Sequence, residues 1–330
     1  REGEYQMTRI TRLFGSALLV IALSGCGGGG GGAPPGPAPT GTINTGRALD
    51  IAGRAVDMAL QSGSFGGITD FVGLTVVPTV AAGSVGGGSQ MKPGSRQYWA
   101  GVPVGPEVRL CEEDGTETVS GDIASPLTVT DGDFLDYVWN ECDDGLGQVI
   151  NGLIRMTFTE FEGDLLAGRI LLRVSLTVTD FQVTEGLDVR LTNGGLSLTI
   201  DSRNQPETII ETLGNSLVVA SNNSTDTLTN FSSLIVENTS MFPSNFTTDV
   251  AGTILSTLFE GTVFYNMPIP FESSGDNYPY AGEMLITGSG GATIRIMALD
   301  QFKVRIEADF NGDGALDATI DTTWEALVSG

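Results

Sequence analysis

From about residue 106 onward the chain alternates apolar and polar residues with a period of two. Ile170, Leu172, Val174, Leu176 and Val178 fall on one face of a strand, and Arg173, Ser175, Thr177 and Thr179 on the other. Val189, Leu191, Leu196, Leu198 and Ile200 bracket Asn193-Gly194-Gly195, which reads as a hairpin turn. Ile294 and Ile296 alternate with Thr293, Arg295 and Met297, and Val304 and Ile306 with Lys303, Arg305 and Glu307. Turn residues recur at Asp114-Gly115, Asp131-Gly132, Glu162-Gly163-Asp164, Glu185-Gly186, Gly288 to Gly291 and Gly312 to Gly314. Such spacing predicts long strands joined locally. The expected fold is mainly β: a large antiparallel meander sheet with one N-terminal helix. Open sheets of this size rarely stay flat, so it should be curled, as a partial barrel or in two layers.

The helix is predicted over residues 46–62, where Leu49, Ala52, Val56 and Leu60 recur at helical spacing. Asn44 or Thr45 can cap its start and Gly63 can stop it. It reads as a packing helix that covers part of the sheet's apolar face. Residues 64–98 alternate apolar pieces, Phe71 to Val80, with Gly- and Ser-rich ones, Gly83 to Ser89, and read as a linker. Four segments result: 1–25, 26–45 (tether), 46–105 (helix and linker) and 106–330 (β domain).

Residues 1–6 precede Met7 and read as an upstream extension of the reading frame. Arg9 and Arg12 then lead into an apolar run from Leu13 to Leu23. That run is too short to cross a bilayer core of roughly 30 Å as a helix, and suits a signal-peptide core. It ends in Leu23-Ser24-Gly25-Cys26, which resembles the lipobox of bacterial lipoproteins. The resemblance implies cleavage before Cys26 and acylation of its thiol; the plainer alternative is a non-lipidated signal peptide. Glycines Gly27 to Gly32 follow, then Ala-Pro-Pro-Gly-Pro-Ala-Pro: a flexible tether with a stiffer distal part. In lipoproteins of this kind an Asp after the acylated Cys signals retention in the inner membrane. Gly27 at that position implies the outer membrane.

Charge narrows the partners. Lys and Arg number 16 against 40 Asp and Glu, a net charge of −24. Such a surface repels phosphates, which argues against nucleic acid, and disfavours docking on anionic lipid without another anchor. The membrane is therefore expected as a partner through Cys26. The chain has no His, which removes the commonest general base and transition-metal ligand.

With Cys26 acylated, Cys111 and Cys142 remain, and two thiols in an exported protein are expected to pair. Buried free thiols are the alternative.

One stretch carries recognisable chemistry. Asp309-Phe310-Asn311-Gly312-Asp313-Gly314-Ala315-Leu316-Asp317 places side-chain oxygens at Asp309, Asn311, Asp313 and Asp317, with the Ala315 carbonyl between. This matches the first part of an EF-hand-type calcium loop. The twelfth position, where that loop needs a bidentate Glu, is Ile320. The expected flanks are strands, Lys303 to Asp309 before the loop and Leu316 to Trp324 after it. The alternatives are a structural Ca²⁺ site and a turn that uses Asp, Asn and Gly for their backbone geometry.

Several elements together resemble a recurrent, functionally uncharacterised group of proteobacterial lipoproteins. They are the glycine tract after Cys26, Cys111 to Gly115, Trp139-Asn140-Glu141-Cys142 with Gly147 to Gly152, Tyr278 to Gly288, the Asp309 to Asp317 loop and Thr323-Trp324-Glu325-Ala326-Leu327. The resemblance implies an envelope address and a β architecture and assigns no catalytic residue. Two functions follow as expectations: a non-catalytic envelope protein with a structural or interaction role, or a carrier of a lipid or acyl chain inside a curled sheet under a helix lid. A packed interior favours the first and a hollow one the second.

Overall fold

The computed structural model describes residues 38–64 and 104–328, save 124–128, 144, 146, 165–167, 223, 241, 258–260 and 276–277. Helix α1 (Ala48–Ser64) precedes fourteen strands: β1 (Val104–Leu110), β2 (Thr116–Asp122), β3 (Phe134–Asp143), β4 (Gln148–Asp164), β5 (Arg169–Glu185), β6 (Asp188–Asp201), β7 (Glu207–Ser221), β8 (Thr225–Asn238), β9 (Asn245–Ser256), β10 (Gly261–Ser274), β11 (Ala281–Thr287), β12 (Thr293–Ala298), β13 (Lys303–Asp309) and β14 (Ala318–Thr323). A short helix, α2 (Trp324–Val328), follows β14. The strands form one antiparallel sheet in strict chain order from β1 to β14, an open meander.

The period-two pattern governs the packing. On β5, Ile170, Leu172, Val174, Leu176 and Val178 are buried while Arg173, Ser175, Thr177 and Thr179 are exposed. The register carries that face across the sheet: Val174 pairs with Phe158 of β4 and Leu198 of β6, and Leu176 with Met156 and Leu196. The inward residues of all these strands form a continuous apolar core, in which Phe158, Phe231, Tyr265 and Trp324 are the largest contributors. Each fully buried large side chain contributes about 1.5–3 kcal/mol. Arg-carboxylate pairs such as Arg155 with Asp136 and Arg305 with Asp321 link neighbouring strands at exposed positions; each is worth at most about 1 kcal/mol.

Helix α1 packs against β8, β9, β12, β13 and α2. Its buried face is Ala48, Ile51, Ala52, Ala55, Val56 and Met58, whereas Leu49 is 43% exposed. The stripe is therefore rotated from the expected one, because sheet and α2 contact the helix from different sides. A Cβ on Gly53 would lie 2.2 Å from the Leu327 carbonyl oxygen, so glycine permits the close approach of the two helices. Arg54 reaches the buried carboxylate of Asp226 through Nε (2.7 Å) and Nη2, and donates to Asp57 through Nη1 (2.9 Å). Asn44 accepts the Gly46 N–H at 3.1 Å ahead of the helix.

Two expectations are corrected. Asn193-Gly194-Gly195 is no turn but lies within β6, beside a bulge against β7. Glycine is needed there because the backbones touch: a Cβ on Gly194 would sit 2.5 Å from the Ser216 carbonyl oxygen. Asn193 supplies the local polar contact, accepting the Asp180 N–H at 2.7 Å. The last strand ends at Thr323 rather than Trp324, which starts a helix and turns its ring inward at 1% exposure.

Because every connection reverses the chain, the turns sort into two ends of the sheet. The near end carries the β1–β2, β3–β4, β5–β6, β7–β8, β9–β10, β11–β12 and β13–β14 turns. It also receives the end of the expected tether. Thr40 and Gly41 donate their N–H groups to the Thr262 carbonyl (3.1 and 2.8 Å), Ser289 N–H donates to Gly41 O (2.9 Å), and Ile43 is buried. The far end carries the remaining connections and α2.

Candidate functional site

The near end gathers the sequence features with chemistry. Cys111 closes β1 and Cys142 lies in β3, and they are joined as a disulfide with Cα atoms 5.4 Å apart. The bond staples the first strand to the third across the β1–β2 turn. That turn also leans on β3: Asp143 N–H donates to Asp114 O (2.8 Å) and Glu113 N–H to Asp143 O (3.3 Å). By the chain-entropy argument a cross-link over 31 residues is worth about 3–4 kcal/mol.

The Asp309–Asp317 loop joins β13 to β14 at the same end. Asp309 is buried and acts as its hub: Oδ1 accepts the N–H of Asn311 (3.2 Å) and of Gly312 (2.7 Å), and Oδ2 that of Gly314 (2.7 Å). Asn311 Oδ1 accepts Asp313 N–H at 2.8 Å, and Asp313 Oδ1 accepts Ala315 N–H at 2.8 Å. Asp317 Oδ2 accepts Phe310 N–H at 2.7 Å. Burial alone would raise the Asp309 carboxyl pKa, but the N–H donors of Gly314, Gly312, Asn311 and Asp313 outweigh it and hold the group below the usual carboxylate range. Gly312 takes a positive φ of 73° and abuts the β11–β12 turn; a Cβ there would lie 2.4 Å from Gly290 O.

The five residues singled out as calcium ligands thus share one loop. The side chains of Asp309, Asn311, Asp313 and Asp317 accept backbone N–H groups, that of Ala315 among them, and among the described residues no group of three or more Asp, Glu, Cys or His is arranged to hold a metal. In chemical terms the loop is a set of nested Asx turns whose carboxylates bear negative charge on a compact surface.

Cys26, the expected lipid-attachment residue, and the glycine tract lie outside the described residues. Among the described residues, Thr40 is the first that bonds to the sheet, and it does so at the near end.

Sequence reasoning missed two features. One is the buried Arg54–Asp226 pair, whose members are 172 residues apart and share no local pattern. The other is a groove of about 670 Å³ on the outer face of β5, β6 and β7, where Ser175, Thr177, Ser197 and Ser216 surround Gly195. Glycines opposite small hydroxyl residues leave space above a sheet, a signal that can be read only once the register is known. The groove holds no charged residue and no aromatic ring.

No family model, curated protein or solved structure matches the chain.

Proposed function

We propose that this protein is a membrane-anchored envelope lipoprotein, held through acylated Cys26 at the outer membrane, with a non-catalytic structural or interaction role. The observation that carries the choice of role is the occupied interior of the curled sheet. Ile154, Met156 and Phe158 of β4, Leu176 of β5, Leu228 of β8, Ile254 of β9, Val263 of β10 and Ile294 of β12 are all at 0% exposure. A side chain with no accessible surface borders no void large enough for water, let alone an acyl chain. The same observation weighs against a lipid carrier, which needs an apolar hollow lined by these residues. The address rests on the Leu23 to Cys26 lipobox and the tether after it. It is tested by labelling cells with radioactive palmitate. The wild-type protein should take up label and Cys26→Ser should not; equal labelling of the two would refute the anchor.

A further inference from the structure

Three far-end loops and α2 are locked together by hydrogen bonds and ring contacts. Gly275 N–H, opening the β10–β11 loop, donates to Ser244 O of the β8–β9 loop at 2.9 Å. Trp324 Nε1 donates to Pro279 O of the β10–β11 loop at 3.0 Å and to Asp300 O of the β12–β13 loop at 3.3 Å. Trp324 N–H donates to Phe302 O at 3.2 Å. The Trp324 ring stacks on Tyr278 (centroids 6.1 Å apart) and meets the edge of Phe271 (5.5 Å). Outside this frame stand apolar side chains: Phe242 at 102% exposure, Phe302 at 63%, Leu299 at 43% and Tyr280 at 38%. A scattered exposed leucine needs no account, but a braced row of apolar loop tips does.

We propose that Phe242, Tyr280, Leu299 and Phe302 form a rim that dips into a net-neutral, zwitterionic lipid surface. Area argues for lipid over a second copy of the chain. An aromatic side chain buries roughly 150–250 Å², so two phenylalanines and two partly covered neighbours offer a few hundred Å². A stable protein interface needs about 800 Å² on each side. Charge selects the kind of lipid. A net charge of −24 opposes an anionic bilayer, yet the β8–β9 connection, Thr239 to Ser244, contains no charged residue. The Asp300 carboxylate is turned back on its own loop, accepting the N–H groups of Phe302 (2.8 Å) and Lys303 (2.9 Å). Glu237, the carboxylate nearest that connection on β8, is pushed up in pKa by burial, which lowers the cost of neutralising it at a membrane. The near end offers the contrast. Leu110 and Leu187 are 86% and 92% exposed there, but Leu110 is followed by Cys111-Glu112-Glu113-Asp114 and Leu187 lies between Glu185 and Asp188. Inserting those tips would desolvate carboxylates. The rim acts independently of acylation at Cys26.

The test uses the full chain carrying Cys26→Ser, with Phe242→Trp, Phe302→Trp or Leu187→Trp added one at a time. Each is mixed with phosphatidylcholine vesicles brominated in the acyl chains, and emission is read as the difference from the parent. Emission from the residue-242 and residue-302 variants should shift to the blue and fall about twofold or more, as for a side chain within 5–10 Å of the acyl boundary. The residue-187 variant should not change. The apolar run from Leu13 to Leu23 can bring every variant to the vesicle, so the contrast between ends is the readout. Absence of quenching at 242 and 302, or equal quenching at 187, overturns the proposal. So does concentration-dependent self-association in sedimentation that Phe242→Ser abolishes, which would assign the rim to a second copy.

Discussion

The two ends of the sheet solve the same problem, closing a meander, by different physics. The near end is held by a covalent bridge and directional polar bonds: the Cys111–Cys142 disulfide, the Asx turns around Asp309 and the long-range Thr40–Thr262 contact, 222 residues apart in sequence. At the far end the β10–β11 and β12–β13 loops are held by one aromatic residue from the end of the chain. Trp324 reaches back to Phe271, Tyr278, Pro279 and Asp300. Polar turns leave their surface charged and wet. An aromatic clamp leaves the tips of the loops beside it without a structural task, and there Phe242, Leu299 and Phe302 are exposed. The turns around Asp309 and Cys111 are thereby suited to solvent and ions, and the loops around Trp324 to the net-neutral lipid surface we propose for them.

The sharpest way to break this comparison is to remove the clamp. Trp324→Ala deletes a side chain at 1% exposure and should destabilise by about 3–5 kcal/mol in urea unfolding. Phe242→Ser at the fully exposed tip should stay within about 0.5 kcal/mol of wild type. A Trp324→Ala loss under about 1 kcal/mol, or a comparable cost for Phe242→Ser, would mean that the far end is not organised around Trp324.

The contrast also explains which parts of the molecule were legible in the sequence. A strand's buried face repeats every second residue, so the inward side chains of β5, β12 and β13 follow from the letters alone, as does the chain-order meander, because turns recur at short intervals. The Asp309–Asp317 loop is legible because its contacts lie within nine residues. Three things were not. Asn193-Gly194-Gly195 has turn chemistry but serves a bulge, because the decisive contact is with Ser216 on the next strand. Leu49 faces outward although it fits the helical spacing, because α1 is touched by both α2 and the sheet. Trp324 reads as the last residue of a strand; its role depends on residues up to 53 positions earlier, such as Phe271. Local propensity carries no record of such partners.

The near end should yield next. Cys111→Ser, or reduction of the wild-type protein, should cost about 3–4 kcal/mol, read as a lowered melting temperature. The bridge closes the first strand onto the third, so the loss should come with faster hydrogen exchange in β1 and β2 and little change in β12 and β13. Coincident melts for the oxidised and reduced protein would show that the bond adds nothing beyond the sheet's own register.

The smallest expected effect concerns calcium at the Asp309–Asp317 loop, which we propose as its occupant. Asp309, Asp313 and Asp317 bring three carboxylates into one turn, joined by Asn311 and the Ala315 carbonyl. Their repulsion is partly relieved by backbone N–H donors, most of all at Asp309. A cation would have to share those oxygens with the N–H groups, and no bidentate Glu closes the site, since Ile320 stands where one is needed. Affinity should therefore fall below that of sensor EF-hands, and a stabilisation of RT ln(1 + [L]/Kd) should become measurable only near millimolar Ca²⁺. Mg²⁺ should do less, because a hairpin loop does not meet its tight octahedral demand. The measurement is a thermal melt in millimolar Ca²⁺ against chelator, for wild type and Asp313→Ala. The wild type should gain about 1–2 °C, of the order expected for a few tenths of a kcal/mol in a domain of this size, and the variant should gain nothing. If wild type and variant shift alike, or neither shifts, the near end is held by its Asx turns alone, and its negative surface has no ionic partner in this loop.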